Sequence, residues 1–449
     1  MVLENDLGKD DIKQLVLRIA IPSMLAQFVS VFYSIIDRMY IGNIAQVGSI
    51  ALAGVGICGP VITMIGSIAS LVGIGGAPLM SMRLGENRKE DASKIMANAF
   101  LMLIVFSIVF VGIIYPIRLP MLRLFGASST TLPYADSYFS VYLTGTIFAL
   151  LATGMNQFII CQGYSKVGMK SVLIGAISNI ILDPIFIFYF HMGVKGAAIA
   201  TVLSQLASCI FVIYFLMGEN IPVRIRFGNY HLKTMLKILK IGMTPFIIIA
   251  FDNIMIIAMN ALLQRYGGAA EGDMLVTCAT IAQSFMLVVT MPLGGITGGT
   301  QTILAFNYGA KQPDRVKKAE KYIVLLSLLY TTLLFVLAWF GGSIFVRLFT
   351  SDAMLAKEAF KAIRICTLMI IPLAVQYTIV DGLTGLGQVQ YSLPLSTLRK
   401  TIYFIALFML PSMFGARATF YAEPISDILS PIISCIVYYF AMKKILKRS

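Results

Sequence analysis

The sequence predicts an all-α integral membrane protein, with twelve transmembrane helices in two pseudo-symmetric six-helix bundles. Three observations carry that expectation. Of 449 residues, 58% are hydrophobic and only 12% are charged, against roughly 25% charged in a soluble domain. Apolar stretches of about 20 residues or more, the length that crosses a bilayer core, recur along the whole chain. The second half of the chain also repeats the first at a nearly constant offset.

Taken in order, spans are expected near 14–40, 50–81, 92–115, 134–162, 168–190, 194–217, 235–263, 274–307, 317–345, 358–383, 391–411 and 420–442. The first follows a polar, acidic start (Glu4, Asp6, Asp10, Asp11) and contains Pro22 and Asp37. With no small-residue cleavage site in that first apolar run, no cleavable signal peptide is expected. The second span closes on Arg83-Leu84-Gly85-Glu86, and the third opens on a basic start, Lys89 to Lys94. Arg123-Leu124-Phe125 precedes the fourth, and Gln162-Gly163 follows it. The fifth carries Asn179, Asp183 and Pro184, and a short loop leads to the sixth with Thr201. A basic link at 218–234 separates two lobes, 1–217 and 235–449.

The second lobe repeats the plan. Pro245 in the seventh span lies opposite Pro22, and Asn307-Tyr308-Gly309-Ala310 after the eighth matches Arg83 to Glu86. The basic start Arg315 to Lys321 matches Lys89 to Lys94, and Arg347-Leu348-Phe349 matches Arg123 to Phe125. Six spans per copy give both copies the same topology, so the axis relating them runs along the membrane normal, a plan typical of secondary transporters.

The formal charge of +14 raises the question of nucleic acid. The distribution answers it. With the N-terminus in the cytoplasm, 23 of the 35 basic residues fall in cytoplasmic segments, Lys443, Lys444, Lys447 and Arg448 among them. That is the positive-inside pattern, with a secondary attraction for anionic lipid heads. No nucleic-acid partner is expected. Both termini are expected in the cytoplasm of a bacterial inner-membrane protein, and a monomer is expected.

Six cysteines lie in apolar spans without metal-ligand or redox spacing, and there are only two histidines, His191 and His231. No Walker A, kinase or Rossmann glycine pattern occurs. The glycine runs at 73–76 and 294–299 lie inside apolar spans and suit close helix packing. Enzymatic activity and a bound cofactor are therefore not expected, and uphill transport would draw on an ion gradient.

A carboxylate at mid-membrane costs roughly 2.5–3.5 kcal/mol on insertion scales, so each one is informative. Asp37, Asp183, Asp252 and Asp381 stand in spans one, five, seven and ten. Asn179 precedes Asp183 by one helical turn, on the same face. Pro184 frees a backbone carbonyl beside them. Asp37, Asn179, Asp183 and Thr201 therefore make a candidate oxygen-only site for H⁺ or Na⁺ in the N-terminal lobe. Asp252 and Asp381 are candidates for a second acidic region facing a cationic substrate. The polar and aromatic residues Tyr33, Asn156, Gln157, Gln283 and Tyr377 are candidates for the cavity lining.

Four segments carry a family resemblance: Gly73-Ile-Gly-Gly-Ala-Pro-Leu-Met-Ser-Met-Arg-Leu-Gly85, Leu182-Asp-Pro-Ile-Phe-Ile-Phe188, Gly193-Val-Lys-Gly-Ala-Ala-Ile-Ala-Thr-Val-Leu-Ser-Gln205 and Asn307-Tyr-Gly-Ala-Lys311. Together they resemble the multidrug and toxic compound extrusion (MATE) transporters, over essentially the whole chain, and look nearest to a bacterial branch. The resemblance implies two six-helix bundles facing each other in a V. It also implies export of cationic, lipophilic drugs and dyes in exchange for H⁺ or Na⁺. It assigns the cation site to Asp37, Asn179, Asp183 and Thr201, the helix bend to Pro22, and drug-pocket roles to Asn156 and Tyr33. The chain departs from the pattern at Gln301-Thr302, where a Gln-Pro pair is common, and at Gln283, where some members carry an acid. The alternative is a lipid or lipid-linked saccharide flippase of the related superfamily.

Overall fold

The computed structural model describes residues 5–219, 221–350 and 352–445, apart from the side chains of Ser49, Ala269, Ala270 and Asp273. Glu4, Lys447 and Arg448 lie outside the described residues. Among the described residues, ten helices are long and apolar enough to cross a membrane, and two bent pairs, each taken as one span, bring the spans to twelve. They run Ile12–Gly42, Ile50–Gly85, Lys89–Leu124, Leu132–Thr144 with Thr146–Ile160, Ser165–Tyr189 and Gly193–Met217. The second six are Leu232–Gly268, Met274–Gly309, Pro313–Arg347, Ala353–Cys366 with Ile370–Gly385, Val389–Phe414 and Ala416–Ile445. The bent pairs are the fourth and tenth spans, at 56° and 48°, which sit in equivalent places in the two copies.

Local chemistry sets the boundaries. The Asp11 carboxylate accepts from the amides of Lys13 at 3.1 Å and Gln14 at 3.2 Å and so caps the first span. Pro184 has no amide to donate, and the helix beyond it widens into a π turn at Ile185–Tyr189. The chain turns from the seventh span to the eighth at Gly268, whose φ of 59° and ψ of −163° suit only glycine.

One face of the bundle is basic: the first span starts there, and its loops carry Arg83, Arg88, Lys94, Lys166, Lys311 and Arg315. The lobes meet on that side through pairs of backbone contacts related by the internal repeat. A Cβ on Gly85 would strike the carbonyl oxygen of Phe306, and one on Gly309 would strike that of Met82. Gly85 and Gly309 are 224 residues apart, as are Met82 and Phe306. Gly242 likewise rests on Leu71, and Gly75 on Ile238. Glycine is required at these places because two helix backbones touch. Within the glycine runs, Gly73, Gly75 and Gly76 make close contacts, as do Gly295 and Gly299 against Ser23, whereas Gly294 and Gly298 face open space.

Three apolar cores fill the molecule, and they do not follow the chain division neatly. The first lies in the N-terminal lobe but takes in Ile238 from the start of the seventh span. The second occupies the C-terminal lobe away from the basic face. The third, on the basic side of the C-terminal lobe, contains Leu7, Ile12, Leu15, Val16 and Ile19 beside Ile303, Val316, Leu383 and Met442. Each half therefore sends the start of its first helix into the other half's core.

The segment before the first span also bridges the lobes. The Asn5 amide donates to Gly163 O at 2.8 Å on the N-terminal side. On the C-terminal side Leu7 O accepts from Asn307 at 3.0 Å and Arg315 at 3.2 Å, and Asp10 O accepts from Arg315 at 2.9 Å. Arg315 is itself held by Asn307 at 2.8 Å. A further bond, Ser81 Oγ to Thr302 O at 3.0 Å, ties the second span to the eighth.

Candidate coupling and substrate sites

The structure brings Asp37, Asn179, Asp183 and Thr201 together. One turn apart on the fifth span, Asn179 Nδ2 donates to Asp183 Oδ1 at 3.2 Å and approaches Thr201 Oγ1 at 3.4 Å on the sixth. The Thr201 hydroxyl in turn donates to Ala197 O at 3.0 Å, which leaves its lone pairs facing the cluster. From the first span, the Asp37 carboxyl comes within interacting distance of Asp183. Asp183 and Asn179 are buried and Asp37 is half-buried.

The donor count of this cluster falls short. Asp37 Oδ1, Asp183 Oδ2 and Asn179 Oδ1 are all buried without a hydrogen-bond donor among the described residues. An unmade bond on a buried acceptor costs about 1–3 kcal/mol, and more for a charged one. Three such acceptors, two of them on the facing carboxyls, make a site that a proton or a small hard cation would satisfy. No cluster of three or more His, Cys, Asp or Glu side chains with metal-site geometry occurs among the described residues. The oxygen set here is instead built from two acids, an amide and a hydroxyl.

The wall around these four residues was not legible beforehand. Tyr138 interacts with Thr201, and the Tyr142 hydroxyl lies 3.5 Å from Gln205 Nε2. The two tyrosine rings stack at 6.1 Å. Their i,i+4 spacing on the fourth span was the only signal in the sequence. Tyr33 belongs here as well, one turn before Asp37 on the same face.

Asn156 and Gln157 reach a different place. They line a cavity of about 110 Å³ between the lobes, with Ser23, Gln27, Gly299 and Gln301. Asn156 Oδ1 accepts from Ser171 Oγ at 3.1 Å. Drug-sized pockets run about 300–1,000 Å³, so this space between the closed helices is too small for one. Pro22 lies beside it, buried in a first span that runs unbroken from Ile12 to Gly42.

In the C-terminal lobe Asp252 and Asp381 have different polar partners. Asp381 Oδ2 accepts from Thr297 Oγ1 at 2.5 Å and also bonds Gln301. Asp252 is ion-paired with Lys400 from the eleventh span. Tyr377 lies within electrostatic range of both acids and of Arg399. Gln283 sits apart, its amide 3.8 Å from Met259 Sδ between the seventh and eighth spans.

Three acids in the spans escaped the reading of the sequence. Arg399 binds Asp427 at 2.8 Å and Glu423 at 3.0 Å on the twelfth span, two carboxylates one turn apart. Glu320, in the ninth span, is buried against Gly382 with its Oε1 lacking a donor. The adjacent bases Arg399-Lys400 inside an apolar run were the available signal, because buried charges require partners.

Comparison with known proteins fits this architecture. The chain is 23% identical to the multidrug export protein MepA of Staphylococcus haemolyticus over 426 residues, covering 94% of this chain and 92% of that protein. It superposes on an outward-facing multidrug resistance MATE family transporter of the MOP superfamily with a TM-score of 0.90, at 21% identity, covering 99% of this chain and 98% of that one. A MOP superfamily transporter from Pyrococcus furiosus, described as having a binding pocket of reverse polarity, gives 0.91 at 21% identity, over 98% of both chains. The family model described as MatE matches twice, at residues 22–185 and 248–407, once in each repeat. With twelve spans in two lobes, and that model fitting each lobe in turn, the chain belongs to the MatE family of membrane transporters, the multidrug and toxic compound extrusion family.

Proposed function

We propose that the protein is a secondary antiporter that exports cationic, lipophilic compounds in exchange for H⁺ or Na⁺ held by Asp37, Asn179, Asp183 and Thr201. The observation that carries this reading is the set of three buried oxygens without donors at the junction of spans one, five and six. The multidrug export names of the staphylococcal relatives support the cargo class. The positive-inside rule puts the basic face in the cytoplasm, with both chain ends on that side.

In this arrangement the lobes, 1–217 and 235–449, are closed at the basic face. The coupling site is reached from outside. A proton or Na⁺ entering between Asp37 and Asp183 cancels charge that would otherwise attract a cationic cargo, so the two ligands are negatively coupled. The first span, with Pro22 about a third of the way along it, carries that change to the lobe interface. The linker 218–234 lets the lobes rock, and the ion leaves inward. A flippase for pyrophosphate-linked lipids would need free deep cations. The two bases of the eleventh span, Arg399 and Lys400, are both paired with carboxylates.

The test is ion-driven dye transport in liposomes of defined lipid holding the purified protein. An imposed ΔpH or ΔNa⁺ should drive wild-type uptake of ethidium. Asp183→Asn should remove ion-driven transport while the protein still inserts and binds dye. Wild-type efflux by that variant would remove Asp183 from the mechanism.

A further inference from the structure

The ion pair between Lys400 and Asp252 has an asymmetry that a structural salt bridge does not need. The Lys400 side chain is only 4% exposed, whereas that of Asp252 is 48% exposed. The ammonium is thus inside the lobe, and the carboxylate stands in its wall.

Helix geometry says which wall. Asp252 lies fourteen residues beyond Ile238 on the seventh span, close to four whole turns, so both share one face. Ile238 and Gly242 on that face pack against the N-terminal lobe, Gly242 directly on Leu71. Asp252 therefore points toward the N-terminal lobe, about 15 Å farther from the basic face than Gly242. Its half-exposed carboxylate lies beyond the Gly242 contact, on the side of the helix that faces the N-terminal lobe.

Lys400 also has somewhere else to go. Glu423 and Asp427 on the twelfth span both lie within its electrostatic range. Among the described residues their ion-pair partner is Arg399, and Asp427 Oδ2 is buried with no hydrogen-bond donor there. The lobe thus holds an acceptor for a second ammonium, directed inward.

We propose that Lys400 is a built-in stand-in for the cargo's cationic group. It occupies the Asp252 carboxylate when the cleft is empty and yields it to a monovalent organic cation, moving toward Glu423 and Asp427. Asp252 is then a substrate subsite, and Lys400 is the residue that sets how strongly a cation must bind to claim it. The exchange conserves charge: one cation leaves Asp252 as another arrives, and no proton is needed. The inference rests on the export reading for the nature of the cargo, but it concerns binding rather than ion coupling.

Equilibrium binding to the purified full-length protein in lipid nanodiscs tests it, with a permanently charged quaternary ammonium dye and an uncharged analogue of the same shape. Lys400→Gln removes the competitor and should tighten the charged dye about tenfold, leaving the neutral analogue unchanged. Asp252→Asn should weaken the charged dye about tenfold and spare the neutral one. The double variant should behave as Asp252→Asn, since a competitor has no effect once its prize is gone. If Lys400→Gln is not recovered as folded protein, Asp252→Asn decides alone: selective loss of the charged dye supports the subsite, and equal loss of both dyes overturns it. Unchanged or weaker binding of the charged dye to folded Lys400→Gln also overturns it. Asp183→Asn, run in parallel, keeps the two readings apart. It should fail to couple ion flow to dye transport, while Lys400→Gln added to that background should still tighten the charged dye about tenfold, so the two sites are read independently.

Discussion

A single methyl group should hold the basic face open. At Gly309 an added Cβ would lie well inside contact distance of the Met82 carbonyl oxygen, which belongs to backbone and has no rotamer to escape into. Inserting a methyl into a packed contact costs about 1–3 kcal/mol. The clash exists only while the lobes are closed on that side, so the cost falls on the closed state alone. Taking 2 kcal/mol as the middle of that range, the open-to-closed ratio should rise about 30-fold in Gly309→Ala. Ser81 reports the change, because its hydroxyl is buried and bonded to Thr302 O across the interface. In a Ser81→Cys background, a membrane-impermeant thiol reagent applied to the basic face should label Gly309→Ala more than tenfold faster than its parent. The repeat-related variant Gly85→Ala, pressing on Phe306 O, should do the same. Equal labelling rates in parent and both variants would refute the claim that these glycine contacts hold the face shut.

Other expectations follow from the same geometry. Asn307→Ala removes the bond to Leu7 O and the support of Arg315, so hydrogen exchange at residues 6–10 should rise about tenfold while the far ends of the spans keep their protection. Thr201→Val keeps the shape of the coupling site but deletes one oxygen. Imposed ΔNa⁺ or ΔpH should then drive dye transport at least several-fold more weakly, with the charged dye still bound; undiminished coupling would exclude Thr201. The amide of Gln14, and after it the Lys318 charge, hold the Asp11 carboxyl below its ordinary value of 3.8. A depressed carboxylate stabilises the cap above the unfolded value and loses that contribution as pH falls through the folded one. Exchange at the amides of residues 13–14 should therefore, after correction for intrinsic rates, be protected at pH 6, lose protection below pH 4, and be independent of pH over that range in Asp11→Ala.

Much of this molecule is legible in its hydropathy. Eleven of the twelve spans begin and end within about five residues of where the apolar runs do, because a lipid-crossing helix must satisfy its backbone internally and show hydrocarbon outward; the third runs on to Leu124, well past its expected end at 115. The N-terminal oxygen cluster was readable because Asn179 and Asp183 are fixed one turn apart by the helix itself, whatever the tertiary structure does. The C-terminal charges were not. Glu423 and Asp427 look like isolated surface acids until Arg399 is seen to reach them from another span, and no local period encodes that pairing. The separation of Tyr33 from Asn156 was hidden for a related reason: both are polar positions on spans, and only helix rotation decides which opening each one faces.

The crossed helix starts make each repeat depend on the other for its packing. Leu15, Val16 and Ile19 find their seats in the second repeat, and Ile238 finds its seat in the first. A polypeptide severed between residues 217 and 235 would yield two pieces, each with an apolar helix end and an empty socket. Neither piece is a finished object by itself. Produced together in one membrane, the two pieces should fill each other's sockets.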